Sequence, residues 1–119
     1  MRNIFCHDRI NDNFIQLIKQ YPDLTAIFCA SDEMAIGAIS AAYKLGISIP
    51  DDVSIMGYDN LKISEMSVPP LTTTAQPLVK MAEKATEILF KIINKKDSDV
   101  HSIIMPYQII ERESVKNIK

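Results

Sequence analysis

Residues 25–76 read TAIFCASDEMAIGAISAAYKLGISIPDDVSIMGYDNLKISEMSVPPLTTTAQ, and the order of apolar and polar segments in this run decides the fold class. Two short apolar runs each end in a carboxylate. Ala26-Ile27-Phe28-Cys29-Ala30 leads into Ser31-Asp32, and Val53-Ser54-Ile55-Met56-Gly57-Tyr58 leads into Asp59. Continuous apolar runs of this length read as strands buried on both faces, as in a parallel sheet. Between them a helix is predicted from Asp32 or Glu33 to Leu45, closed by Gly46. A strand–helix–strand order with a connection of this length implies a right-handed parallel crossover. Both carboxylates then emerge at one edge of the sheet, beyond the carboxyl ends of the strands, where open α/β sheets bind ligands.

Working outward, Ile4-Phe5-Cys6 reads as a short strand. A helix follows, capped by Asn11 or Asp12, with Ile10, Phe14, Leu17, Ile18 and Tyr21 as its buried stripe and Pro22-Asp23 as its stop. The helix after Asp32 is apolar over more than one face, so it has two surfaces to cover. One packs on the sheet, and a second protomer is a candidate for the other. After Asp59 a short helix or turn runs through Glu65-Met66, and Pro69-Pro70 impose an extended exit. Leu71 to Gln76 is β-rich by propensity. A long helix starts at about Pro77, with Leu78, Met81, Ala82, Ala85, Ile88, Leu89, Ile92 and Ile93 as its apolar stripe. Asn94 to Ser102 is a polar loop. Ile103-Ile104-Met105 and Tyr107 to Ile110 then form one strand, or two broken by Pro106.

The chain has 119 residues, 47% of them hydrophobic, which suits one small domain with a real core. Its formal charge is −2 and its 13 Lys and Arg are scattered, so it carries no electrostatic footprint for nucleic acid. Two cysteines, Cys6 and Cys29, make no disulfide framework, and Cys29 reads as a buried free thiol. Met1-Arg2-Asn3-Ile4 lacks a signal-peptide core, and no apolar run approaches membrane-spanning length. The expected location is the cytoplasm, with no membrane partner.

Catalytic and metal chemistry find little support. Cys6-His7-Asp8 has the residue types of a nucleophile, base and orienter. On a strand, however, neighbouring side chains point to opposite faces, so His7 cannot bond both. His7 and His101 lack metal-ligand spacing. Gly37, Gly46 and Gly57 are the only glycines, so there is no phosphate-cradling loop. No catalytic residue, metal or cofactor is expected.

Five pieces in order, Thr25-Ala26-Ile27-Phe28, Asp32 to Ala38, Pro50 to Ser54, Gly57-Tyr58-Asp59 and Pro70 to Thr73, resemble the effector-binding domain of the LacI/GalR family of bacterial transcription repressors. The tail Ile110-Glu111-Arg112-Glu113-Ser114 fits the closing strand of that family. The resemblance implies an α/β fold: part of a type I periplasmic-binding-protein-like lobe, a parallel sheet flanked by helices. Residues 1–70 then correspond to the C-terminal lobe and 71–76 to the interlobe crossover. Residues 77–96 are the helix that packs on the N-terminal lobe, and 103–114 the strand returning to the C-terminal lobe. The helix-turn-helix head, the hinge, most of the first lobe and the opening strand and helix of the second are expected to lie outside these residues, by truncation or through a shortened gene. With the first lobe missing, the 77–96 helix is expected to pack back on its own lobe, pair with another chain, or fray.

From spacing alone Asp59 is either a cap for the short helix after it or a ligand-facing carboxylate able to accept two hydroxyls. The resemblance implies the second reading, with a sugar or another small polar metabolite as effector. It also implies effector contacts at Ser31, Gln76 and Leu78. Serine stands where asparagine is frequent and leucine where an aromatic ring is frequent, so the Ser31 contact is expected to be weaker or water-mediated and stacking at Leu78 is in doubt. Asp32 is expected to be structural, as the N-cap of its helix, and Tyr58 to be packing. The resemblance puts a homodimer interface at Ile36, Ile39, Met66 and Ser67. DNA contact is expected only through the missing N-terminal head, and tight effector binding is not expected from one wall of the pocket. Two other readings are a homodimerising structural fragment without a ligand, and part of a sugar-binding transport protein.

Overall fold

The computed structural model describes residues 7–94 and 102–118, with side chains from Ile10 onward. The elements are α1 (His7–Gln20), β1 (Ala26–Phe28), α2 (Asp32–Lys44), β2 (Ser54–Tyr58), α3 (Lys62–Met66), β3 (Thr72–Ala75), α4 (Leu78–Ile93) and β4 (Gln108–Ile110). The chain divides into two units, one running through Ala75 and resuming at Ile109, the other Gln76–Gln108. Among the described residues no helix is long and apolar enough to cross a membrane.

The first unit is built on a sheet in the order β1-β2-β3-β4. β1 pairs with β2 and β2 with β3, both in parallel, with Phe28 opposite Met56 and Met56 opposite Thr72. This is the parallel α/β arrangement expected from the apolar runs. Because side chains alternate along a strand, Ile27, Ile55, Gly57 and Thr73 share one face. That face carries the core, in which Ile55, Leu71, Val53 and Cys29 meet Ala35, Ala38, Ile39, Ala41 and Ala42 of α2 and Phe14 of α1. The run of alanines lets α2 lie close to the sheet. Its second apolar face is covered within the chain by α1, for a Cβ at Gly37 would come within 2.7 Å of Ile10 Cγ2.

Several expected boundaries shift. α1 begins at His7 rather than at an Asn11 or Asp12 cap. Packing of Ile10 against α2 supports an added N-terminal turn, as tertiary contact commonly overrides a local capping signal. Leu17 and Tyr21, assigned to its buried stripe, are exposed. α2 ends with Gly46 at φ 70, and the amides of Gly46 and Ile47 bond back to Tyr43 and Ala42 at 3.1 and 2.9 Å. The returning strand is only Gln108–Ile110. Ile103 to Met105 has no regular structure, and Pro106 has no amide to give a ladder. The expected strand at Ile4 to Cys6 and most of the expected loop from Asn94 lie outside the described residues.

In the second unit, α4 follows Pro77, and the Met81 amide bonds the Pro77 carbonyl at 2.9 Å. The helix stays regular although none of its residues is buried. Glu87 pairs with both Lys84 and Lys91, each at 2.8 Å. The hydrogen bonds from Lys84 and Lys91, then their charges, pull the Glu87 carboxyl from its ordinary 4.5 down to about 2. A depressed carboxyl supports the fold above its ordinary pKa and loses that support as pH falls. The helical circular-dichroism signal is therefore expected to decline between pH 4.5 and about 2, by less in Glu87→Gln.

Gly57 permits the closest approach in the first unit. A Cβ there would overlap Asp32 Oδ1 and come within 2.9 Å of Leu71 Cδ2. Gly57→Ala is expected to destabilise the chain by about 3 kcal/mol in urea unfolding, the cost of overpacking a site that cannot relax.

Candidate functional site

Parallel pairing of β1, β2 and β3 brings their carboxyl ends to one edge of the sheet. In the first unit the segments that leave this edge are Cys29 to Asp32 and Asp59 to Leu61. Asp32 is structural as expected, but the cap expected of it is made by Ser31. Ser31 is the N-cap of α2: its backbone is extended and its Oγ accepts the Met34 amide at 3.2 Å. Capping uses a lone pair and leaves the hydroxyl proton available to donate. Asp32 is already inside the helix and fully buried. Its Oδ1 accepts the Thr73 hydroxyl at 2.5 Å and its Oδ2 accepts the Leu61 amide at 2.7 Å. It ties α2, the segment after β2, and β3 together, with the N-terminal end of the helix dipole favouring its charge.

The segment after β2 is a turn in an uncommon conformation. Asp59 has φ 105 and Asn60 φ 53, both in the region that L-residues other than Asn and Asp seldom enter. Such backbone persists only where its surroundings over-determine it. Here the Asp59 amide donates to Thr74 O at 2.9 Å and the Asn60 amide to Thr73 Oγ1 at 3.3 Å. The Leu61 amide is the one held by Asp32. α3 has Leu61, and not Asp59, at its N-cap position, and the Leu61 side chain makes no cap bond.

Two residues of the C-terminal tail complete the frame. The Arg112 guanidinium donates from Nη1 to Leu71 O at 2.7 Å and Ser64 Oγ at 3.0 Å. From Nη2 it reaches Asn60 Oδ1 at 3.0 Å and Glu65 Oε1 at 3.5 Å. Ser114, fully buried, accepts the Thr72 amide at 2.8 Å and donates to Ile55 O, while its own carbonyl accepts the Ile55 amide. In the sequence both stand only within the tail Ile110-Glu111-Arg112-Glu113-Ser114. A lone Arg between two Glu offers no local signal of burial.

Of the effector candidates, Ser31 and Asp59 therefore share the sheet edge, both half-buried. Gln76 and Leu78 belong to the second unit, Leu78 on the surface of α4. Tyr58 packs edge-on against Phe28, ring centres 6.3 Å apart, as the alternation of side chains implied. Of the interface candidates, Met66 is 74% exposed while Ile39, at 7%, belongs to the core of its own unit. Ile36 and Ser67 are half-buried, and the Ser67 hydroxyl lies 2.9 Å from Pro69 O.

His7 and Asp8 fall on the α1 backbone rather than on a strand, while Cys6 and His101 lie outside the described residues. Among the described residues no cluster of His, Cys, Asp and Glu could hold a metal. Burial pushes the Cys29 thiol up to about 11. It stays protonated and unreactive at neutral pH.

Asp32→Ala would leave the Thr73 hydroxyl and the Leu61 amide unpaired, with an expected loss of about 3 kcal/mol on denaturant unfolding. Ser31→Ala is expected to cost about 1 kcal/mol, the value of an N-cap. Iodoacetamide at pH 8 is expected to leave Cys29 unlabelled until denaturant is added, as read by peptide mass mapping.

Residues 3–115 match the periplasmic binding protein-like domain. The chain is 42% identical over 107 residues to the HTH-type transcriptional regulator MalR of Clostridium butyricum, covering 90% of this chain and 32% of MalR. The transcriptional regulator CelR in its cellobiose complex superposes with a TM-score of 0.85 at 28% identity, over 92% of this chain and 34% of CelR. A ribose-bound LacI family transcriptional regulator from Enterococcus faecium gives a TM-score of 0.79 at 29% identity, over 97% of this chain and 42% of that structure. This chain thus spans about a third of the length of the curated relatives it matches, and those relatives are transcriptional regulators rather than enzymes. The parallel sheet, the Gly57-Tyr58-Asp59 turn at its edge and the match over residues 3–115 agree: the chain belongs to the periplasmic binding protein-like family, as part of the effector-binding domain of a LacI/GalR-type regulator.

Proposed function

We propose that this chain supplies one wall of a sugar-binding pocket and part of a dimer contact in a LacI/GalR-type repressor. The observation that carries the reading is the Asp59–Asn60 turn. It sits at the carboxyl edge of a parallel sheet and is held in left-handed backbone by bonds to β3, the start of α2 and the tail. A carboxylate carried on a fixed backbone in such a place suits a polyhydroxylated ligand, because little backbone ordering remains to be done on binding. Asp59 accepts sugar hydroxyls and Ser31 donates its free hydroxyl proton. In the full-length protein α4 packs on the first lobe. Sugars are the favoured effector class because the CelR and Enterococcus structures hold cellobiose and ribose.

Dimerisation uses Met66, Ser67 and Ile36, with Ile39 supporting that surface from the core side. DNA is contacted only through a helix-turn-helix segment outside these residues. An effector acts in such a protein by binding one arrangement of lobes and protomers better than another.

A second reading, a homodimerising fragment without a ligand, is favoured by Tyr43, Met66 and Val68, apolar and at least 74% exposed in the same unit. Thermal unfolding separates the two. Ribose or cellobiose at tens of millimolar is expected to raise Tm in the wild-type chain and not in Asp59→Asn, since a ligand that binds only the folded state stabilises it. A melt that neither these nor other sugars move, with association that depends on protein concentration, would instead support the dimerising fragment.

A further inference from the structure

We infer that Arg112 is a positioning residue for the Asp59–Asn60 turn and joins that turn rigidly to α3. The guanidinium is 14% exposed, and its four acceptors, Asn60, Ser64, Glu65 and Leu71, all belong to the connection between β2 and β3. That connection begins with two left-handed residues and contains a helix of five residues, too short to persist on propensity alone.

Without Arg112 the turn keeps three bonds from its backbone amides, and its last carbonyl, Leu61 O, accepts the Ser64 amide and hydroxyl of α3 at 2.9 and 2.6 Å. With Arg112 a single planar group spans both, and its own amide anchors it to Thr72 Oγ1 at 2.9 Å. Movement at the turn is thereby tied to α3 and to Met66 at its end, the exposed surface proposed above for a protomer contact. The fork geometry is essential, because Nη1 and Nη2 serve different acceptors at once and a lysine ammonium cannot reproduce that spread. The functional meaning rests on the reading of Asp59 as an effector contact, whereas the positioning role is tested without any ligand.

Site-resolved amide hydrogen exchange on the whole chain is the experiment, comparing wild type, Arg112→Lys, Asn60→Gly and the double variant. Glycine retains the left-handed backbone and removes only the acceptor. Arg112→Lys is expected to speed exchange at Asp59, Leu61 and Ser64 about tenfold or more, the worth of a charge-assisted bond. Ala38 and Ala42 of α2 keep their protection. The double variant is expected to exchange less than the product of the two single effects, since both break one interaction. Unchanged exchange at residues 59–64, an equal rise throughout α2, or fully additive variants would each overturn the inference. Ribose and cellobiose titrations of the same proteins form a separate arm. A wild-type chain indifferent to both would count against the sugar reading, while the exchange data alone decide the role of Arg112.

Discussion

A carboxylate buried at the start of a helix organises this lobe. Asp32 has no exposed surface and satisfies its two oxygens with groups from two other segments, the Thr73 hydroxyl and the Leu61 amide. An unpaired charge in such a place would cost several kcal/mol, so each of these partners is held where the carboxylate needs it. Gly57 answers the same demand, since β2 can pass beneath Asp32 only with no side chain at that point. The stretch after β2 therefore starts from a fixed position, and its left-handed conformation is a consequence of what grips it.

The tail closes the arrangement from the other side. Ser114 bridges β2 and β3 by using its hydroxyl as donor and acceptor and its carbonyl as a further acceptor. Arg112 spans the β2–β3 connection. A sheet edge with its turn held in one backbone geometry is thus assembled from four parts of the chain: the start of α2, the end of β2, β3 and the tail. Buried polar networks of this kind specify one geometry when every member is satisfied.

α4 shows the opposite economy. It has no buried residue, and the Lys84–Glu87–Lys91 pairs along one flank give only modest local support. Its apolar stripe was legible as a helix from its period, because helical period is a property of neighbouring residues. What covers the stripe is a matter of tertiary or quaternary context that a period cannot encode.

By itself, the sequence determined the order of elements, the parallel sheet, the edge at which Asp59 emerges and the family, because apolar runs, Gly46 and the Pro69-Pro70 pair act through near neighbours in the chain. Tertiary structure decided the rest. Asp32 became a buried tie and Ser31 the cap because the partners of Asp32 lie 29 and 41 residues away. Arg112 reaches back 52 residues to Asn60, and Ser114 reaches 59 to Ile55. Ile10 added a turn to α1 by meeting Gly37 of α2. Pairings at such separations depend on how the sheet brings segments together, and no local pattern of residue types records which polar group will find which partner.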